Sequence, residues 1–283
     1  MTPTFYELDR LFSSTRTLLY SVATGATGSV KDRVVRAMFD SAEALGLLTG
    51  KTKIVEPTSG AEGIALASEA ARRGFNLTIV APEFIDKKNL ELLKKLGAKV
   101  ELTPAKLGMS GAVKAAQKIR SDEPDIWSPD IFENPANPTI HETTTAPNVW
   151  KATRENLDAF VCAAGSGGTF MGVARFLQRK NPKIQRLVVE PKESPILSGG
   201  KPGKHEIVGI GAGFVPKIFD PSLPSGVITV SAEEAREWSE RLAKTEGILA
   251  GISTGANLAA VAKIANLPEY RGKTIATIAF DRG

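Results

Sequence analysis

The sequence predicts an α/β protein made of two doubly wound blocks with mostly parallel sheets. Short apolar runs alternate with longer helical patterns along the chain, as parallel sheets flanked by helices require. The alternation divides into two blocks near residues 131–142, which predicts two domains with a ligand in the cleft between them. No internal repeat or low-complexity tract suggests another architecture. The elements follow in order. A helix is expected over Asp32–Leu48, then a strand at Lys53–Glu56 and a helix at Gly63–Arg73. Strands at Leu77–Val80 and Lys99–Leu102 flank a helix at Lys87–Leu96, and Met109–Ser121 is again helical. The second block reads as a helix at Thr139–Thr153, a strand at Ala159–Ala163, a helix at Thr169–Gln178 and strands at Arg186–Val189 and Val227–Val230. Helices at Ala232–Glu246 and Asn257–Ile264 and a strand at Thr274–Ala279 close the chain.

Composition narrows the function classes. The chain has 283 residues, 42% hydrophobic and 24% charged, an ordinary globular balance. No apolar run approaches the ~18 residues of a spanning helix. The opening M-T-P-T-F-Y-E-L lacks a basic region followed by an apolar stretch, so no secretory signal is expected. Cys162 is the single cysteine, which excludes an intrachain disulfide and fits a reducing cytoplasm. In V-C-A-A-G it reads as a small apolar residue at the end of a buried strand. The net charge of +5 is spread among 31 acids. Lys87-Lys88 and Lys94-Lys95 lie on a helical pattern as a solvated face, so neither nucleic acid nor membrane is expected as a partner. His141 and His205, distant from each other, make no metal constellation with one cysteine, and each reads as structural or solvated.

Two local patterns carry chemistry. Thr27–Arg33 reads T-G-S-V-K-D-R and sets Lys31 after a Gly-Ser turn at a helix start. Burial and nearby positive potential lower a lysine's pKa there, as an amine that must form a Schiff base with an aldehyde requires. Alone, the heptapeptide is weak evidence, since a Lys beside an Asp and an Arg is usually a solvated helix start. Gly165-Ser166-Gly167-Gly168-Thr169 lies between an apolar strand and a helix. Such a loop turns N–H groups and a helix dipole toward an anion, and Ser166 and Thr169 add hydroxyls. It lacks the G-K-[ST] of a P-loop; the plain alternative is a βα turn without a ligand. Gly209–Gly213, G-I-G-A-G, looks like a dinucleotide fingerprint but lacks the preceding strand.

These segments sit in an ordered series with I-V-E-P-T-S-G (Ile54–Gly60), F-E-N-P-A-N-P (Phe132–Pro138), V-E-P (Val189–Pro191), L-S-G-G-K-P-G (Leu197–Gly203), G-I-G-A-G-F-V-P (Gly209–Pro216) and E-G-I-L-A-G-I-S-T-G-A (Glu246–Ala256). Along nearly its whole length the chain resembles the cysteine synthase (O-acetylserine sulfhydrylase) family of fold type II pyridoxal-phosphate enzymes. The resemblance implies a tryptophan synthase beta-like fold with a cofactor cleft between two domains. Residues 1–32 and 143–283 would form the larger domain and 33–142 the smaller. It implies pyridoxal 5'-phosphate as cofactor, Lys31 as the amine that holds it, and the Gly165–Thr169 loop as the phosphate site. Gly211 would line the cofactor mouth, and Ser253 would hydrogen-bond the pyridine nitrogen. From the residues alone, Ser253 or Thr254 reads as a cap of the following helix. A homodimer and a small amino-acid substrate are likewise implied.

The resemblance assigns Thr58, Ser59 and Gly60 to the loop that grips the substrate's α-carboxylate. The family continues that loop with Asn-Thr, where this chain has Ala61 and Glu62. Ser59–Glu62 reads as a capping box, with Ser59 as N-cap and Glu62 reaching back to its N–H. An anion at Glu62 would oppose the substrate's own carboxylate. Ile131 replaces the family's substrate-touching Gln. Gly25-Ala26 stands for Asn-Pro, Arg282 stands where many members have Ser, and the chain ends at Gly283, several residues short of a typical member.

The implied activity is β-replacement or β-elimination on an O-activated serine-type amino acid, a transferase or lyase reaction of cysteine biosynthesis. The altered loop implies a changed substrate or weak activity. The competing expectation is a non-catalytic homologue that holds the cofactor and acts by binding.

Overall fold

This computed structural model describes residues 4–123 and 125–283. The chain opens with β1 (Thr4–Glu7) and β2 (Arg16–Ser21), followed by α1 (Lys31–Ala44), β3 (Lys53–Pro57), α2 (Ala61–Arg73), β4 (Asn76–Pro82), α3 (Lys87–Lys95), β5 (Lys99–Thr103), α4 (Gly108–Asp122) and β6 (Ile126–Trp127). It continues through α5 (Ala136–Ile140), a π-helical turn (His141–Thr145), α6 (Ala146–Ala152), β7 (Ala159–Ala163), α7 (Gly168–Lys180), β8 (Gln185–Pro191), β9 (Gly226–Val230), α8 (Ala232–Glu246), α9 (Ile252–Ala265) and β10 (Thr274–Ala279). The alternation expected from Lys53 onward is present, and both sheets are mostly parallel.

Contacts divide the chain into two compact units. One comprises the chain up to Thr24 together with Asn137–Gly283; the other is Gly25–Ala136. These breaks precede the expected ones at 32/33 and 142/143, and they place Lys31 in the unit formed by the middle of the chain.

In the first unit, the described residues form a six-stranded sheet of order β1-β2-β10-β7-β8-β9. Only the β1–β2 pair is antiparallel. The alternation read from the sequence does not include β1 and β2. Residues Thr17–Tyr20 are nonetheless buried, because β2 pairs with β10 in the sheet interior. β7 (A-F-V-C-A) is buried throughout, as expected of a parallel strand covered on both faces. Cys162 lies within it, and burial pushes its thiol pKa far up, so it is an inert core residue.

α9 begins five residues before the expected Asn257 and is apolar almost all round, as befits a helix packed between the sheet and α8. Its buried Asn257 joins two strands. Oδ1 accepts from Ala163 N at 2.7 Å and Nδ2 donates to Ile278 O at 2.8 Å, so both polar atoms of this core side chain have a partner.

The expected single helix at Thr139–Thr153 is interrupted by the π turn at His141–Thr145. A π turn widens the helix by one residue and re-aims side chains, here turning the His141 ring into the interior.

In the second unit the described strands form an all-parallel sheet of order β5-β4-β3-β6. Val55 and Val80 pack there against Ala112 and Ala116 of α4. α1 and α2 lie side by side and run the same way. Arg73, in the last turn of α2, pairs with Asp40 of α1 at 2.5 Å and with Glu43. The lysines of α3 are exposed, as expected.

Candidate active site

Lys31 is the first residue of α1. The loop before it is held by Asp32, whose carboxylate accepts from Thr27 N at 3.1 Å, Thr27 Oγ1 at 2.8 Å and Ser29 N at 3.3 Å. Ser29 Oγ in turn accepts the Lys31 N–H at 3.1 Å. This use of Asp32 accounts for Gly25, since a Cβ there would collide with the Asp32 side chain. Lys31 is partly buried as a residue, but its ammonium end is deep enough that desolvation lowers its pKa, with Glu62 opposing that shift. The amine is therefore shifted toward the neutral, nucleophilic form that the sequence pattern anticipates.

The loop at Thr58–Glu62 departs from expectation. α2 is capped by Gly60 in an extended conformation without a side-chain bond, so Ser59 is not the N-cap. Glu62 does not reach back to Ser59. Its side chain turns inward, accepts a hydrogen bond from Thr58 and lies near Lys31 and Asp130. Burial raises its pKa to about 7, opposed by Lys31 and reinforced by Asp130. Glu62 Oε1 is buried with no hydrogen-bond partner. Glu56, at the end of β3, accepts from Ser128 Oγ at 2.8 Å and Asp130 N at 3.3 Å; burial and then Glu62 raise its pKa well above the usual carboxylate range. Thr58 is buried, Ser59 and Gly60 are half-buried, Ala61 is exposed and Ile131 is buried. The S-x-x-E spacing fits a capping box equally well on paper. The burial of Glu62 beside Lys31 is the tertiary fact that sequence reading missed.

In the other unit, β7 leads through Ala164 into Gly165–Thr169. Gly167 is the N-cap of α7, with φ of 86°, and Gly168 starts the helix. The loop carries no acidic side chain, and Ser166 and Thr169 are buried. Ser166 Oγ accepts from Asn137 Nδ2 at 3.0 Å, which leaves its own O–H to donate. A Cβ at Gly165 would strike the carbonyl of Gly209, and one at Gly168 would strike Asn137. The G-I-G-A-G segment thus packs against the Ser-Gly-Gly loop, fastened by Gly211 N donating to Ala164 O at 2.9 Å. His205 Nε2 bonds Gly211 O at 3.0 Å. Backbone this close, at the positive end of a 13-residue helix with two buried hydroxyls, fits a phosphate monoester.

Ser253 is buried in the first turn of α9, behind the N-cap Gly251. It does not cap the helix, and neither does Thr254, whose Oγ1 accepts from Phe280 N at 3.3 Å. Arg282 Nε donates to Ala23 O at 3.0 Å. His141, read from the sequence as structural or solvated, is wholly buried and bonds Thr169 of the glycine loop.

Residues 22–281 match the family described as Pyridoxal-phosphate dependent enzyme. The chain belongs to that family. Within it, the chain is 43% identical over 253 residues to a cysteine synthase of Staphylococcus aureus, covering 89% of this chain and 81% of the relative. Among solved structures it is similar to a cysteine synthase from Entamoeba histolytica, with a TM-score of 0.96 and 34% identity over 100% of this chain and 86% of that one. It is also similar to an O-acetylserine dependent cystathionine beta-synthase from Helicobacter pylori, with a TM-score of 0.90 and 37% identity over 99% of this chain and 92% of that one. As a pyridoxal-phosphate enzyme, the chain thus shares the α/β fold of the cysteine synthases, in agreement with the resemblance of its motifs. Among the described residues no helix is long and apolar enough to cross a membrane.

Proposed function

We propose that this pyridoxal-phosphate enzyme carries out β-replacement or β-elimination on an O-activated serine-type amino acid, with a substrate preference altered from that of the cysteine synthases it resembles. The observation that carries the reading is the desolvated amine of Lys31, set at the start of α1 by the Asp32-pinned loop. In support, one similar structure is named for its dependence on O-acetylserine and others for cysteine synthesis.

The proposed roles follow from each residue's chemistry. Lys31 holds the cofactor's aldehyde and, once released, takes the proton from the substrate's α-carbon. The N–H groups and hydroxyls of Gly165, Ser166, Gly167, Gly168 and Thr169 bind the phosphate, with Gly211 beside them. Ser253 offers a neutral hydroxyl to the ring nitrogen. Pyridoxal phosphate supplies an electron sink for negative charge at the carbon beside the amine. Thr58, Ser59 and Gly60 face the substrate's carboxylate with Ala61, Glu62 and Ile131 in place of the family's polar residues. Loss of Asn and Gln donors, and a carboxyl at Glu62, disfavour a free amino acid's anion. We further propose a cytoplasmic homodimer, on family resemblance; light scattering at micromolar concentration that gives a monomer refutes the dimer.

The test is borohydride reduction of the cofactor-loaded protein followed by peptide mass analysis. The adduct is expected on Lys31, and an adduct elsewhere overturns the assignment. Titrating the loaded protein with a panel of amino acids, read by the cofactor's visible absorbance, then identifies the substrate. No spectral response to any O-activated serine overturns the proposed reaction.

A further inference from the structure

Between β8 and β9, the described residues 192–225 form neither helix nor strand. A structureless connection of that length inside a compact unit is uncommon unless it serves a site. It contains Gly209, Gly211 and Gly213, all with left-handed backbone, and glycine backbone is the least able to hold one course by itself. Bonds from outside the segment hold it instead. Gly211 N donates to Ala164 O at 2.9 Å, and Ala164 N donates to Val189 O of β8 at 3.1 Å. On its other side, the Gly211 carbonyl lies 3.0 Å from His205 Nε2. A carbonyl only accepts, so Nε2 carries a proton and donates it. His205 Nδ1 is buried with no hydrogen-bond partner. Burying that nitrogen unpaired costs free energy that an apolar side chain would not, so what the imidazole contributes here is its bond to Gly211. The packing is close. A Cβ at Gly211 would lie 2.8 Å from His205 Nε2 and 2.7 Å from Pro191 Cγ, and one at Gly165 would strike Gly209 O.

We infer that His205 is a positioning residue for the cofactor's phosphate: by holding the Gly211 carbonyl, it fixes the glycine segment that backs Ala164 and Gly165. His205 acts through Gly211 and does not touch the phosphate. With the bond gone, the Gly211 carbonyl is left without this donor and the glycine segment is tied to Ala164 alone. Gly165 then loses a fixed wall, and the N–H groups after it are less well aimed at an anion. The inference rests on Gly165–Thr169 being the phosphate loop. Coupling of this kind is reciprocal: if the His205 bond favours phosphate binding, bound phosphate steadies residues 209–213 by the same factor.

The experiment titrates the full-length, cofactor-stripped protein with pyridoxal phosphate and, separately, with pyridoxal, reading absorbance. His205→Leu removes the donor. His205→Asn keeps an amide but places its nitrogen at the Nδ1 position, short of Gly211. His205→Gln places an amide N–H as many bonds from Cβ as the imidazole Nε2, so it can restore the bond. Leu and Asn should weaken pyridoxal phosphate binding by about fivefold or more, the scale of one hydrogen bond, and Gln should stay within about twofold of the wild type. Pyridoxal, which lacks the phosphate, should bind all four proteins alike. Wild-type affinity in Asn and Leu, equal losses for both ligands, or a loss in Gln as large as in Asn overturns the inference. A measurement on the wild type alone does not depend on how the variants fold. Amide hydrogen exchange over residues 209–213, read by peptide mass, should slow by about fivefold on loading with pyridoxal phosphate and stay unchanged with pyridoxal. No slowing also overturns the inference. Gly167→Asp in the same titration is the control on the underlying reading: unchanged affinity there overturns the phosphate loop itself, so the two failures are distinct.

Discussion

His141 Nε2 lies 3.2 Å from Thr169 Oγ1, while its Nδ1 lies 2.8 Å from Thr145 Oγ1. A hydroxyl that donates to a phosphate must take its own bond from elsewhere. On the proposal that Thr169 donates to the phosphate, its oxygen accepts from Nε2–H, and Nδ1 then accepts from Thr145. The π turn is what brings this ring to the glycine loop. Replacing His141 with Ala should weaken pyridoxal phosphate binding by about tenfold, the worth of one polar bond of roughly 1.4 kcal/mol. Pyridoxal, which lacks the phosphate, should bind as before. Equal losses for both ligands, measured by titration, would assign His141 to packing alone.

Gly167→Asp places a carboxylate at the N-cap of α7, where the helix dipole now favours a phosphate. It also forces an L side chain into a φ of 86°. Cofactor affinity should fall by more than tenfold, about 1.4 kcal/mol or more. Unchanged affinity in the same titration counts against this loop as the phosphate site.

Asp32→Ala removes the acceptor of three donors that hold the loop before Lys31. Bonds to a charged group contribute roughly 1.5–3 kcal/mol each, and water replaces part of that at a half-buried site. A loss of about 2 kcal/mol in denaturant unfolding is expected, together with slower borohydride labelling of Lys31. A variant as stable as the wild type would show that the loop is held otherwise.

The double change Ala61→Asn with Glu62→Thr restores the family's pair at the substrate loop. It should strengthen O-acetylserine binding, read from cofactor absorbance, by at least about tenfold, the scale of one charge-assisted contact. No gain, or tight binding already in the wild type, contradicts the account of this loop. The capping-box reading would couple that gain to a loss of helix stability. Because Gly60 is the N-cap, no such loss is expected.

Glu62 also sets a pH dependence of stability. Its carboxyl has a pKa of about 7 in the fold against an ordinary 4.5, so the folded state binds a proton that the unfolded state releases. This stabilisation is fully present below about pH 4.5 and is lost as the pH rises through about 7. At about 1.4 kcal/mol per tenfold change in proton affinity, the loss by pH 8 is on the order of 3 kcal/mol. Glu62→Gln should remove this dependence, melting higher than the wild type at alkaline pH but not at acid pH. Parallel melting curves across pH would contradict the burial of an ionisable Glu62.

The sequence by itself determined the α/β class, the alternation of elements from Lys53 onward, the family, the lysine loop and the glycine loop. Each of these is written in residues adjacent in the chain: an apolar run for a buried parallel strand, glycines where backbone must approach backbone, Gly-Ser before a helix start. Tertiary structure alone decided the rest. Ser59 and Glu62 have the spacing of a capping box, yet Gly60 caps α2 and Glu62 turns inward. The difference is made by Lys31, Thr58 and Asp130, which folding brings to one carboxyl. His141 gave no local signal either, because its role depends on a π turn and on Thr169, 28 positions away. β2 lies outside the strand–helix alternation read from the sequence, and its place is set by pairing with β10 from the other end of the chain. Local geometry is fixed by neighbours in sequence, whereas a side chain's charge state and partners are fixed by neighbours in space.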